Sequence, residues 1–172
     1  TMDNWQLFFR CFDDGYQDLY NIALPIMKKY AFNATIFICT DFIGKDNSWN
    51  CKDGKKRNHL NMDSLISLRN EQWEIASHGV THQNLLKLSD SDLEDELSKS
   101  KQVLLDIVGY ANSYAYPYGA YNEYIKTVVS KYYKYAFAVS TGGTNIQIDN
   151  MQIRRYTISE IYKMAGLLWK KY

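Results

Sequence analysis

The chain has 172 residues, 46% of them hydrophobic and 23% charged, with a formal net charge of +1. That is the composition of a globular chain long enough for one domain with a real core, expected over 1–172. A charge this near zero offers no electrostatic case for nucleic acid or an anionic membrane, and no run approaches the roughly 20 apolar residues of a membrane span.

No signal-peptide pattern is visible at Thr1. The sequence is expected to start at a boundary, with the N-terminus cut short, so this says little about compartment. Cys11, Cys39 and Cys51 are an odd number with no CxxC, which argues against a disulfide framework or a zinc ribbon. Cys11 and Cys39 lie in apolar runs and read as buried thiols. Fifteen Tyr and four Trp suit sugar stacking and suit a Tyr-rich core equally well.

In chain order, Gln6 to Phe12 predicts a buried strand running into Asp13-Asp14-Gly15. Tyr16 to Tyr30 predicts a helix with Leu19, Ile22, Ala23, Ile26 and Met27 on its inner side; Pro25 either starts its regular part or kinks it. Ala34 to Thr40 is β-branched and aromatic, hence a strand. Asp41 to Asn61 is a polar loop, and its Lys55-Lys56-Arg57 cluster reads as solvated. Met62 to Asn70 predicts a short helix, and Trp73 to Ser77 a strand ending at His78. Ser91 to Val108 is the clearest helix. Ser91 and Glu94 form a capping-box pattern, Leu93, Leu97, Leu104 and Val108 mark one face, and Gly109 is the stop. Ser113 to Tyr118 predicts a strand, Tyr121 to Tyr132 a helix, Tyr135 to Ser140 a strand and Thr141 to Asn150 a loop. Gln152 to Ile158 is a last strand and Ser159 to Lys171 a closing helix.

Strands alternating with helices, the strands nearly all apolar, imply a parallel sheet covered by helices. Asp13, Asp14, His78 and Tyr118 then fall at C-terminal strand ends, where sites form in α/β proteins. Asp-Asp-Gly after a strand is, alone, an ordinary turn signal. His78-Gly79-Val80-Thr81-His82 is more specific: two of the chain's three histidines, four apart with Gly between, suit a turn on which both rings converge. Tyr114-Ala115-Tyr116-Pro117-Tyr118-Gly119 aims a backbone N–H at an oxyanion as readily as it makes a plain turn. An Asp oxygen and two His nitrogens make three metal ligands with room for a water, and the other Asp is left as a base.

These three elements, in this order and spacing, resemble the polysaccharide deacetylase family with its NodB-homology domain, a group of carbohydrate esterases, over about residues 6 to 158. Cys11 to Gly15 matches the family's Thr-Phe-Asp-Asp-Gly, His78 to His82 its His-Thr-x-x-His-like motif, and Ala115 to Gly119 its Arg-x-Pro-Tyr-Gly-like motif. Ala23 to Tyr30, Ala34 to Phe37 and Trp73 to His78 agree as well. The resemblance implies an α/β fold, a distorted, incomplete (β/α) barrel with parallel strands covered by helices. It implies that Asp14, His78 and His82 hold a divalent metal, Zn2+ first, with Co2+, Ni2+ or Mn2+ as alternatives. Asp13 is then the base, and Pro117, Tyr118 and Gly119 meet substrate, with the Tyr118 N–H at the oxyanion. The implied partner is an acetylated oligo- or polysaccharide, and the implied setting extracytoplasmic or at the cell envelope.

There are three departures. Cys11 stands where the family has Thr, a packing change. Ala115 stands where Arg commonly orients the base; an Ala-Tyr-Pro-Tyr-Gly subset carries an Arg on a later strand, and Arg155 is the match. The family's late Leu-x-His, bearing the catalytic acid, has no counterpart, because no His follows His82. His59, in the polar loop, is a weak candidate for that acid, and some relatives carry the His upstream of the first motif. The expectation is a metal-dependent hydrolase that deacetylates N-acetylated sugars or polysaccharide. The alternatives are a catalytically impaired glycan-binding relative that keeps the metal site but lacks the acid, and an interaction domain without metal.

Overall fold

Among the described residues, six short strands alternate with helices and pair in sequence order, every neighbouring pair parallel. The structure is a computed structural model that describes residues 10–48, 54–139 and 149–157. The strands are β1 (Cys11–Phe12), β2 (Thr35–Ile38), β3 (Glu74–Ser77), β4 (Ser113–Ala115), β5 (Tyr135–Val139) and β6 (Ile153–Arg155). Between them run α1 (Leu24–Lys29), α2 (Met62–Asn70), α3 (Asp90–Val108) and α4 (Glu123–Ser130). No helix among the described residues is long and apolar enough to cross a membrane.

The sheet curls. Laid flat, six strands would put β1 and β6 roughly 24 Å apart at the usual inter-strand spacing. Instead Arg155 at the end of β6 reaches Asp13, just past β1, at 2.7 Å. β1 and β6 do not pair among the described residues, so the expected incomplete barrel is what the strands form.

Alternation along each strand divides the sheet into two faces. The outer face carries Ile36, Ile38, Ile75, Tyr114, Ala136 and Ala138, which join the large core beneath the helices. The concave face holds a thinner cluster, Phe37, Ala76 and Ala115 with Cys11 and Phe137. Small residues at two of these positions leave room for the two rings, whose centroids lie 5.2 Å apart. Nearer the N-terminal strand ends the same face turns polar. Glu74 accepts from Ser113 Oγ at 2.6 Å and from Thr35 Oγ1 at 2.9 Å.

The expected elements hold, with local corrections. α3 starts at Asp90, and its cap is Ser89 rather than Ser91. Ser89 has the extended backbone a cap needs (φ −68°, ψ 164°), and its Oγ accepts from Asp92 N at 3.2 Å. Gly109 ends the helix in the left-handed region as expected, at φ 79°. The helix expected from Tyr16 opens as a π-helical turn, Leu19–Ala23, before α1. Pro25 has no N–H to close a regular turn behind it, so it both starts α1 and widens what precedes it. The wider turn rotates the inner face: Tyr20 and Leu24 join Leu19, Ala23 and Met27 against the core, while Ile22 and Ile26 are more than half exposed. The strand expected to Tyr118 stops at Ala115, since Pro117 cannot continue the ladder and Pro117–Gly119 makes a 3-10 turn. α4 is shorter than expected at both ends and is capped by Asn122, which accepts from Ile125 N at 2.8 Å. The loop before α2 is less free than its polarity suggested. It is pinned to the first motif by Gln17 N–H to Asn58 O and Leu60 N–H to Gly15 O, both 2.8 Å. Residues 6–9, 49–53 with Cys51, 140–148, Ile158 and the closing helix expected from Ser159 to Lys171 lie outside the described residues.

The Ser89 cap yields a direct test. Ser89→Ala should lower unfolding free energy by about 1 kcal/mol, and Ser91→Ala by less than about 0.5, both read from urea denaturation midpoints.

Candidate active site

Four strand ends meet at the C-terminal mouth of the half-barrel. β1 delivers Asp13 and Asp14, β3 delivers His78, β4 leads into Pro117–Gly119, and β6 ends on Arg155. The two aspartates are consecutive yet face different partners, because Asp14 sits in the left-handed region at φ 69°. Gly15 follows at φ 72°, where a Cβ would stand 2.7 Å from Ile38 Cγ2, so the turn requires glycine.

Asp13 is gripped by Arg155. Nη1 donates to Oδ1 at 2.7 Å and Nη2 to Oδ2 at 2.9 Å, a bidentate pair. Burial works to raise the Asp13 pKa. The hydrogen bond and charge of Arg155, with the two imidazoles beyond, outweigh it and hold the carboxyl below its ordinary value. Arg155 Nη1 also donates to Cys11 Sγ at 3.3 Å. Cys11 is therefore a half-buried acceptor beside the arginine and not merely a packed thiol, whereas Cys39 is buried, and burial pushes its thiol pKa far up.

Asp14 meets the histidines. Its Oδ1 lies 3.3 Å from His82 Nε2 and 3.7 Å from His78 Nε2. His78 is fully packed, and its Nδ1 lies 2.8 Å from the Ala115 carbonyl. A carbonyl only accepts, so Nδ1 carries the proton and Nε2 presents a lone pair to Asp14. Burial lowers the pKa of His78 and of His82, and nearby Asp13 does not reverse either shift. Both rings are thus neutral near pH 7. Asp14 Oδ1 is buried and receives no hydrogen bond. Burial, reinforced by the charge of Asp13, raises the Asp14 pKa although His78 opposes it. Asp14, His78 and His82 each offer one ligand atom, and these atoms all lie within 4.8 Å of one another. The set fits a divalent metal of borderline softness.

The remaining predicted residues form the rim. Tyr118 has φ 60° and is 66% exposed as a residue, with its ring edge-on to His82 and centroids 4.6 Å apart. Pro117 is buried beneath it. Gly119, at φ 64°, passes so near β5 that a Cβ would lie 3.1 Å from Val139 O. His59 lies close enough to Asp14 for their charges to act on one another. It is buried, its ring centroid 4.7 Å from Tyr16 and 5.4 Å from Phe42, with Nδ1 3.2 Å from Lys45 O.

Two contacts were missed in the sequence. The Ala115 carbonyl fixes the His78 tautomer, and no residue type signals a backbone acceptor. Glu96 of α3 is buried and accepts from Val80 and Thr81 in the histidine loop. A signal for it existed, because a carboxylate between Leu93 and Leu97 on the buried face of α3 must have buried donors.

The chain is a curled, parallel α/β half-barrel with an Asp-His-His donor set and a separate Asp at its mouth. This chain belongs to the polysaccharide deacetylase family, whose sequence profile matches residues 6–136. It is 29% identical over 159 residues to the poly-beta-1,6-N-acetyl-D-glucosamine N-deacetylase of Staphylococcus aureus strain MRSA252, covering 87% of this chain and 53% of that protein. The chain thus spans about half the length of that curated relative. Its fold is similar to that of the Streptococcus pyogenes deacetylase PplD in complex with acetate, with TM-score 0.77 and 22% identity over 92% of this chain and 67% of that one. It is also similar to IcaB from Ammonifex degensii, with TM-score 0.77 and 16% identity over 92% of this chain and 71% of that one.

The Arg155–Asp13 pair sets an expected pKa change. Arg155→Met removes the opposing charge and leaves burial, so the Asp13 carboxyl should titrate at higher pH than in the wild type. An NMR titration of the Asp13 side-chain carbon in metal-free protein reads this directly, and an unmoved midpoint would contradict it.

Proposed function

We propose that this chain carries a metal-dependent hydrolase site that removes acetyl groups from N-acetylated sugars or polysaccharide. The observation that carries the reading is the convergence of Asp14, His78 and His82 within 4.8 Å, beside an Asp13 held ionised by Arg155. Membership of the polysaccharide deacetylase family and likeness to a poly-N-acetylglucosamine N-deacetylase support the substrate class. An acetylated oligo- or polysaccharide is the proposed partner, and Zn2+ the proposed ion, because one carboxylate and two imidazoles form a donor set with a position left open.

In this reading Asp14, His78 and His82 hold the ion. When bound, such an ion would supply Lewis acidity toward a water and the acetyl oxygen. Asp13 accepts the proton of the attacking water. Its lowered pKa keeps it deprotonated, and Arg155 fixes both of its oxygens. Pro117 and Gly119 hold the turn that carries the Tyr118 N–H to the developing oxyanion, while Tyr118, an exposed residue, stands at the edge where a sugar enters. The carbonyl carbon gains an oxygen from water, the C–N bond breaks as the nitrogen takes up the proton that Asp13 accepted, returned by way of solvent, and acetate and a sugar amine leave.

One observation favours a second reading, a glycan-binding relative with the metal site but impaired turnover. His59, the third histidine in the sequence, is buried with its ring against Tyr16 and Phe42, and burial lowers its pKa and makes it a poor store of a proton. A measurable rate on acetylated chito-oligosaccharides decides against that reading.

Two variants separate the roles. His78→Ala should weaken Zn2+ affinity by roughly tenfold or more in a chelator competition, and unchanged affinity and stoichiometry would remove His78 from the ligand set. Asp13→Asn should bind Zn2+ as the wild type does while turnover falls by roughly 100-fold or more. Near wild-type turnover in that variant would show that the base is another group.

A further inference from the structure

Both imidazoles hang on a five-residue loop, from His78 to His82, whose conformation is unusual at two points: Gly79 has φ 87° and His82 φ 58°. Its carbonyls are held from one side, where Thr40 N–H donates to Gly79 O and Asp41 N–H to Val80 O, each at 3.0 Å. His78 N–H donates to Ile38 O at 2.8 Å and Gly79 N–H to Ser77 Oγ at 3.1 Å, while the donors of Val80 and Thr81 turn onto one side chain. Glu96 Oε1 accepts from Val80 N at 2.8 Å and from Thr81 N at 2.7 Å, and Oε2 accepts from Thr81 Oγ1 at 3.1 Å. Glu96 is 7% exposed, and no lysine or arginine contacts its carboxylate among the described residues. A group that only accepts, at up to four lone-pair positions, suits three converging donors as no other side chain does. The approach is close: a Cβ on Gly79 would lie 2.7 Å from Oε1.

We propose that Glu96 is the positioning residue of this site: its carboxylate, reaching in from α3, fixes the backbone of the His78–His82 loop so that both Nε2 atoms face Asp14 Oδ1. It touches neither ion nor substrate and acts through Val80 and Thr81. The consequence for metal affinity rests on the metal reading above, whereas the consequence for the loop stands without it.

The test uses the whole chain with Zn2+ as the probe. Glu96→Ala removes the acceptor, and Glu96→Asp withdraws it by one methylene. Each should lower Zn2+ affinity by roughly tenfold or more. Glu96→Gln keeps an oxygen for the two amides and offers its NH2 to the Thr81 hydroxyl oxygen, so it should stay within about threefold of wild type. In parallel, amide exchange is followed in metal-free protein. Val80 and Thr81 should exchange roughly tenfold faster or more in the Ala and Asp variants, while Ile75 and Ala76 in β3 keep their protection. If Glu96→Ala fails to fold, the contrast between Asp and Gln decides. Wild-type affinity together with wild-type exchange in the Asp variant overturns the proposal. If the wild type itself binds no Zn2+, the metal reading fails, and exchange at Val80 and Thr81 still decides whether Glu96 holds the loop.

Discussion

The bond between Arg155 and Asp13 joins the two edges of the sheet. β1 and β6 share no backbone pairing among the described residues, yet the guanidinium of one holds both oxygens of the carboxylate beside the other, at 2.7 and 2.9 Å. A partly buried ion pair is weak evidence for stability, because desolvation offsets much of its attraction. What it supplies here is geometry and charge. It fixes how far the sheet curls at its C-terminal mouth, and it keeps Asp13 ionised against a burial that would protonate it. Asp14 receives no such partner. One residue further on, turned away by a left-handed backbone, it has its pKa pushed up by burial and by Asp13 itself. Two adjacent and chemically identical side chains are thereby split into a base that needs nothing further and an acceptor open to a cation.

That division depends on backbone conformations most residues avoid. Asp14, His82 and Tyr118 all have φ between 58° and 69°, at three different strand ends of the same mouth. Each such residue costs on the order of 1–3 kcal/mol. The strain persists because its surroundings over-determine it: Ile38 packs against the turn after Asp14, Glu96 holds the loop that leads into His82, and Val139 lies against the glycine after Tyr118. The cost is met by a core lying almost wholly on the outer face, where Ile36, Ile75, Tyr114 and Ala136 are fully buried beneath the helices. The concave face, with its two alanines, contributes less to packing and leaves the mouth open for chemistry.

The fold was largely legible because its signals are local. A β-branched run such as Thr35–Ile38, the face of α3 and the Gly109 stop each follow from a few neighbouring residues. The errors arose where one pattern admitted two answers. Ser89 and Ser91 both precede an acidic residue at cap spacing, and only backbone geometry chooses between them. Ile22 and Tyr20 both lie on a plausible apolar stripe, and the π turn before Pro25 chooses Tyr20. At the site, Asp13, Asp14, His78 and His82 were visible because their side chains carry the chemistry, and Arg155 because the family resemblance asked for an arginine on a late strand. The Ala115 carbonyl was invisible, since every residue has one. Glu96 was readable in principle and was overlooked because the pattern around it is that of an ordinary amphipathic helix.

Proton supply is where the site is most asymmetric. In the proposed reaction, taking a proton from water falls to an ionised Asp13 with both oxygens fixed. Returning one to a departing amine is not provided for by the same groups. The guanidinium that keeps Asp13 a base also makes it a poor donor. The Nδ1 proton of His78 is committed to the Ala115 carbonyl, and His59 lies between Tyr16 and Phe42. The features that make the mouth effective at activating water, a locked tautomer and a clamped carboxylate, are the ones that keep its protons from reaching the leaving group.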